Sequence, residues 1–132
     1  MVRWTIAALI AVWFNTCVPA TNPNVGSSAD TQIPNMTFTV DSTYLNYAVM
    51  VAQGKVTNSG TANTTPPWYV EAQFYTDTTY LTKLGGNSTE MTFPLSPGQS
   101  TFWSISFSST NVDVRSFPYF NVKDIRAIYK KS

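Results

Sequence analysis

The residues able to do chemistry are few and poorly matched to one another. The chain holds seven acidic side chains, eight basic ones, one cysteine (Cys17) and no histidine. Without histidine there is no base for a Ser-His-Asp or Cys-His nucleophile, and zinc loses its commonest nitrogen ligand. Carboxylate-pair hydrolysis needs two acids held across a short gap. Glu71 and Asp77 fall on one face of a strand, but six residues of strand place them roughly 20 Å apart. Pairing across strands with Glu90, Asp113 or Asp124 is left open by the sequence. A cation set of Asp77, Asn111 and Asp113 lacks the spacing of a calcium loop. The expectation is a protein that is not an enzyme and carries no cofactor and no metal. Two other kinds of site remain. Asn35-Met36-Thr37, Asn63-Thr64-Thr65 and Asn87-Ser88-Thr89 are N-glycosylation sequons, and Asn63 and Asn87 fall in predicted loops. Tyr69 and Tyr75, with Trp68, Tyr80 and Phe102, offer an aromatic face for a sugar or a protein partner. The competing reading makes the same tyrosines sheet-stabilising neighbours.

The elements that would carry these residues follow an N-terminal segment of a different character. Met1-Val2-Arg3 is short and positive, residues 4–14 are unbroken apolar sequence, and Asn15-Thr16-Cys17-Val18-Pro19-Ala20 closes the run. Basic start, apolar middle and small-residue exit are the layout of a secretory signal over residues 1–20. An apolar run of that length is too short for a bilayer core, which needs roughly 20 residues. Two processing routes fit. Val18-Pro19-Ala20 suits a cut before Thr21. Alternatively Cys17 becomes a lipidated N-terminus, although Phe14-Asn15-Thr16 departs from the usual lipobox at each position. Residues 21–35 are rich in Pro, Gly, Ser and Asn without apolar periodicity, and predict a flexible linker. The expected location is extracytoplasmic: secreted, periplasmic or at the cell surface. Contact with a membrane is expected only through a lipid on Cys17.

Residues 36–132 predict one domain with a modest core. The chain is 43% apolar and 14% aromatic but only 11% charged, so its polar surface is built from Thr, Ser, Asn, Gln and Tyr. Removing Arg3 leaves seven basic and seven acidic residues, and this balance disfavours nucleic acid as a partner. With Cys17 in the signal or lipidated, no internal disulfide can form, so packing and sheet hydrogen bonds must hold the domain.

Period-two alternation marks the strands. A short one is predicted over residues 36–41 and a long one over 44–58, with a bulge or change of burial near Gly54. Val70, Ala72 and Phe74 alternate with Tyr69, Glu71, Gln73 and Tyr75 over residues 68–77. Gly85-Gly86 reads as a tight turn, followed by a strand over 89–95 with Met91, Phe93 and Leu95 on one side. Trp103, Ile105 and Phe107 define a strand over 101–107. Residues 108–119 are irregular with a helical turn near 112–117, and the last strand covers about 121–130. The fold class is all-β: an immunoglobulin-like antiparallel β-sandwich of six or seven strands. Phe38, Phe74, Trp103 and Phe107 are its expected core.

Val51-Ala52-Gln53-Gly54-Lys55-Val56-Thr57-Asn58-Ser59-Gly60 is similar to the V-x-G-x-V-x-N-x-G opening of a family of small exported sandwich domains. The later Val70-Glu71-Ala72-Gln73-Phe74-Tyr75-Thr76-Asp77, Gly85-Gly86, Leu95-Ser96-Pro97-Gly98 and Trp103-Ser104-Ile105-Ser106-Phe107 stand in the same order. Over residues 44–130 the chain resembles the FxLYD domains, departing at Thr76 and in a longer loop before Trp68. The resemblance implies a non-catalytic sandwich of envelope proteins and lipoproteins, and brings no catalytic residue. The leading functional expectation is a module that binds another envelope or extracellular protein. The alternatives are a self-assembling subunit of a filament or surface layer, with residues 21–41 adding a strand to a neighbour, and a carbohydrate-binding module using Tyr69 and Tyr75.

Overall fold

The structure is a computed structural model that describes residues 30–131. The signal, Cys17 and most of the expected linker lie outside the described residues. Seven strands follow one another: β1 (Thr31–Gln32), β2 (Met36–Asn46), β3 (Val49–Asn58), β4 (Trp68–Tyr75), β5 (Lys83–Met91), β6 (Ser100–Phe107) and β7 (Asn121–Tyr129). A short 3₁₀ turn, Val114–Ser116, lies in the connection before β7. The strands form two antiparallel sheets, ordered β1-β7-β4-β5 and β2-β3-β6. This is the expected immunoglobulin-like sandwich. β2, β3 and β6 take the A, B and E places, and β4 and β7 take C and F. β1 flanks β7 where the last strand of such a sandwich usually pairs.

Alternation explains the core. Trp68, Val70, Ala72 and Phe74 of β4 are all buried, while Tyr69, Glu71, Gln73 and Tyr75 between them are half-buried on the outer face. Met50, Ala52 and Val56 of β3 face them from the other sheet, with Trp103 and Ile105 of β6. Phe74 stacks on Phe107 at 5.2 Å and on Phe120 at 6.0 Å between centroids. Phe38 and Phe107 pack against this cluster without being fully buried. The Trp68 indole nitrogen donates to the Phe93 carbonyl at 2.8 Å, so its polar edge is satisfied despite complete burial.

Four expectations are corrected. The long strand over 44–58 is two strands: β2 runs to Asn46, and Tyr47 and Ala48 form a two-residue hairpin turn into β3. Tyr47 takes φ 57°, a backbone that favours glycine or asparagine, and none of the usual turn residues marks it. Gly85 and Gly86 are not a turn but lie inside β5, paired with Phe74 and Gln73. Gly85 is required by close approach: a Cβ there would sit 2.7 Å from the Phe107 ring. Asn87 is consequently in a strand, not in a loop. Thr31 and Gln32, within the expected linker, pair with Tyr129 and Ile128 of β7, and Ile33 donates to the Ala127 carbonyl at 2.8 Å. Two paired residues are too few to leave an alternation in the sequence.

The anticipated irregularity near Gly54 is present, on the partner strand. β2 carries one extra residue, Asp41, between Val40 and Ser42, opposite Gly54 and Gln53. A side chain at Gly54 would overlap the Thr39 carbonyl oxygen and reach within 2.9 Å of the Trp103 ring. β7 has a similar bulge, where Asp124 (φ 56°) and Ile125 lie opposite Ala72.

The connection of β3 to β4 is held by one side chain. Asn58 is 2% exposed. Its amide donates to the carbonyls of Leu95 (2.8 Å) and Ala62 (2.9 Å), and its oxygen accepts from the Gly60 N–H (2.9 Å). Thr64, also buried, accepts from the Leu95 N–H at 2.8 Å. These bonds tie residues 59–67 to the Leu95-Ser96-Pro97-Gly98 turn.

Candidate functional site

Four of the candidate acids serve local contacts, and the fifth, Glu90, is exposed on β5 opposite Tyr69, not beside Glu71. Glu71 forms an ion pair with Arg126 across β4 and β7 on the outer face. Asp113 caps the 3₁₀ turn and pairs with Arg115 at 2.9 Å; these bonds hold its carboxyl below its ordinary range and push the guanidinium up. Asp77 accepts from the hydroxyl and N–H of Thr79, which lowers its pKa. Asp124 accepts from the Tyr75 hydroxyl at 2.9 Å, and that bond raises the phenol above its usual value. Among the described residues, no group of three His, Cys, Asp or Glu side chains gathers to hold a metal. Asp77 and Asp113 belong to separate loops, each bonded within its own.

The sequons differ in their freedom. Asn35 is exposed between β1 and β2 with φ 61°, and its carbonyl accepts from Ser59. Asn63 is exposed in the β3–β4 loop. Asn87 is engaged: its amide donates to the Ser106 carbonyl of β6 at 2.7 Å, bridging the edges of the two sheets. A glycan on that nitrogen would interfere with the bridge.

Tyr69 and Tyr75 do share the outer face of β4, but the structure does not bring them together. They stand at opposite ends of an eight-residue strand, with the Glu71–Arg126 pair between them. The Lys130 ammonium lies 4.4 Å from the Tyr69 ring centre, and Tyr75 packs edge-on against Tyr80 at 5.4 Å. Both rings are already employed in contacts within the domain, Tyr69 with the residue that follows β7 and Tyr75 with the connection before β5.

The large apolar side chains left outside the core have a different distribution. β4 ends at Tyr75 beside Lys83 and Asn121, and Phe107 of β6 pairs with Met50 of β3. The β2–β3 turn, residues 76–82 and residues 108–120 therefore emerge at one end of the sandwich. Tyr47 (90% exposed), Leu81 (86%) and Tyr119 (79%) lie in these three connections. β1 and the end of β7 mark the opposite end. Phe102 (73%) stands apart on the outer face of β6. A hollow of about 310 Å³ lies between Ala48 and residues 109–115 at the loop end. Sequence reasoning missed these three residues because Tyr47 reads as part of a strand, and loop convergence is set by sheet topology. A helix long and apolar enough to cross a membrane is absent among the described residues.

No family model, curated protein or solved structure matches the chain. Gly54, Asn58 and the Leu95 to Gly98 turn are among the residues that carry the sequence resemblance to FxLYD domains. In this structure those residues do structural work: Gly54 lies under Trp103, and Asn58 joins two loops.

Proposed function

We propose that this chain is a non-catalytic extracytoplasmic module that binds another envelope or surface protein. The observation supporting it is the placement of Tyr47, Leu81 and Tyr119. Three large side chains are left in water on three loops at one end of a rigid sandwich. Binding residues are commonly carried on loops that a packed scaffold positions. The signal-like first twenty residues support export, and the likeness to FxLYD domains agrees with both points.

The alternatives have less support. Strand addition into a filament has an outer edge of β7 uncovered by β1 over residues 121–126. That edge is broken by the Asp124 bulge, and bulges at edges discourage pairing. A sugar platform on Tyr69 and Tyr75 would have to span most of the length of β4.

The test is to locate and size the chain in the cells that produce it. Cell fractionation should place it outside the cytoplasmic membrane, and cross-linking should shift it into one discrete complex with a different protein. A cytosolic chain, or one that stays monomeric after cross-linking, would refute the reading. A ladder of homomeric species would support the filament instead.

A further inference from the structure

We infer that the loop end is the binding surface of the module and that Tyr47 is its anchor, seated in an uncharged apolar hollow of a folded protein partner. The inference rests on the protein-binding reading above and adds where and how the partner is held. Its starting point is a backbone outlier. Tyr47 occupies the hairpin turn with φ 57°. A bulky residue is rare in that conformation, which glycine and asparagine adopt with less strain. Such strain is tolerated when the side chain makes up for it by packing. Tyr80, which shares φ 57°, does so: its ring meets Tyr75 at 5.4 Å and lies 5.1 Å from the Lys123 ammonium. Tyr47 is 90% exposed and gives the sandwich almost no buried surface in return. Backbone strain opposes folding at this position, and a ring left in water contributes nothing to offset it. A residue of that kind has its use outside the chain.

The other two protrusions are next in sequence to packed residues. Leu81 follows the anchored Tyr80. Tyr119 precedes Phe120, which is buried and stacked on Phe74 at 6.0 Å. Pre-positioned aromatic side chains need little ordering when they bind. The surroundings define the partner's chemistry. Thr78, Thr79, Thr82, Thr110 and Asn111 are uncharged. The nearby charges of Asp113 and Arg115 neutralise each other at 2.9 Å, and the ionised Asp77 and the exposed Lys83, on either side of the 78–82 segment, are of opposite sign, so the loop end has no net charge. Tyrosine among small hydroxyl and amide residues is the composition of protein-binding loops. A neutral tip is matched by a neutral, partly apolar surface and has little to offer nucleic acid or an acidic lipid. β1, at Thr31 beside Tyr129, lies at the other end of the sandwich.

The test uses the full chain in the cells that produce it. Benzoylphenylalanine is placed at position 47, 81 or 119, and at position 102 as the control on the outer face. The expected result is one protein adduct shared by the three loop positions and absent from position 102. Tyr47→Gly, which relieves the backbone, should raise the melting temperature by several degrees. In the same variant the adduct formed from position 81 should fall by about tenfold or more. Adducts from position 102 and none from the loops would overturn this inference while leaving the protein-binding reading intact. Absence of protein adducts at all four positions would overturn both. Adducts to lipid alone from the loops would replace the protein partner by a membrane. An unchanged position 81 adduct in Tyr47→Gly would remove Tyr47 as the anchor.

Discussion

Asn58→Ala tests whether one amide holds the β3–β4 loop against the turn that precedes β6. The substitution removes bonds to Leu95, Ala62 and Gly60. It spares the backbone bonds of residue 58, which run from its N–H to the Gln99 carbonyl and from Gly98 to its own carbonyl. The Leu95 carbonyl keeps a partner in the Thr64 N–H at 3.0 Å, and the groups of Ala62 and Gly60 are close enough to the surface to meet water. Each bond contributes about 1 kcal/mol net, so the loss should be about 2–3 kcal/mol. For a domain of this size that corresponds to a fall in Tm of roughly 10–20 °C. Asn58→Asp should be worse than alanine at neutral pH. Its carboxylate would face the Leu95 and Ala62 carbonyls where the amide donated to both, and acidification should recover part of the loss. Urea titration followed by far-UV circular dichroism measures both variants. Thr37→Ala is the control, because its hydroxyl pair with Ser59 is exposed, and it should stay within about 0.5 kcal/mol of the parent. A loss below about 1 kcal/mol for Asn58→Ala, or an aspartate variant as stable as the alanine one, would refute this account of the loop.

Gly54→Ala drives a methyl group into the Thr39 carbonyl and toward the Trp103 ring, and should destabilise by about 3 kcal/mol or more; a melting temperature within a few degrees of the parent would contradict it. Trp68→Phe leaves the Phe93 carbonyl without the indole donor and opens a void at a fully buried site. It should lose about 2–4 kcal/mol in urea titration, and a smaller effect would mean that the site relaxes. With no histidine in the chain, calorimetric Tm should be nearly flat between about pH 5 and 8. Asp77 and Asp113 have lowered pKa values, so their contribution is complete above the unfolded value of 3.8 and is lost as the pH falls through their folded values. Tyr75, raised above 10.0 by Asp124, acts in the opposite sense: its contribution is complete below 10.0 and is lost as the pH rises through the folded value. A marked stability change near neutrality would contradict this pattern.

Residues that alternate in a half-buried strand were legible from sequence. Trp68 to Tyr75 and Trp103 to Phe107 reveal both their strands and their buried faces, because period two is imposed by the pleat. The hairpin at Tyr47 was not legible, since its geometry is recorded in a dihedral angle and not in a turn residue. Gly85 and Gly86 were misread because glycine marks a reversal and a close approach with the same letter; only the position of Phe107 separates them. Of the candidate binding residues, Tyr69 and Tyr75 could be placed on an outer face. That Lys130 and Asp124 already occupy them depends on β7, fifty residues on in sequence. The exposed trio is scattered through three connections and becomes a group only when the two sheets are assembled.

The course of β2 also has a mechanical consequence. The chain enters beside β1, and β2 then runs the length of the sandwich to the Tyr47 hairpin, matched to β3 by ten residue pairs. Tension between that entry and a load held at the hairpin is directed along the strand. Both points of attachment lie at the ends of β2, so the extended backbone of that strand carries the load and its rungs to β3 are neither sheared nor peeled. Pulled along this axis, the domain resists as a stiff strut, and the two-residue contact of β1 with β7 is the first to let go.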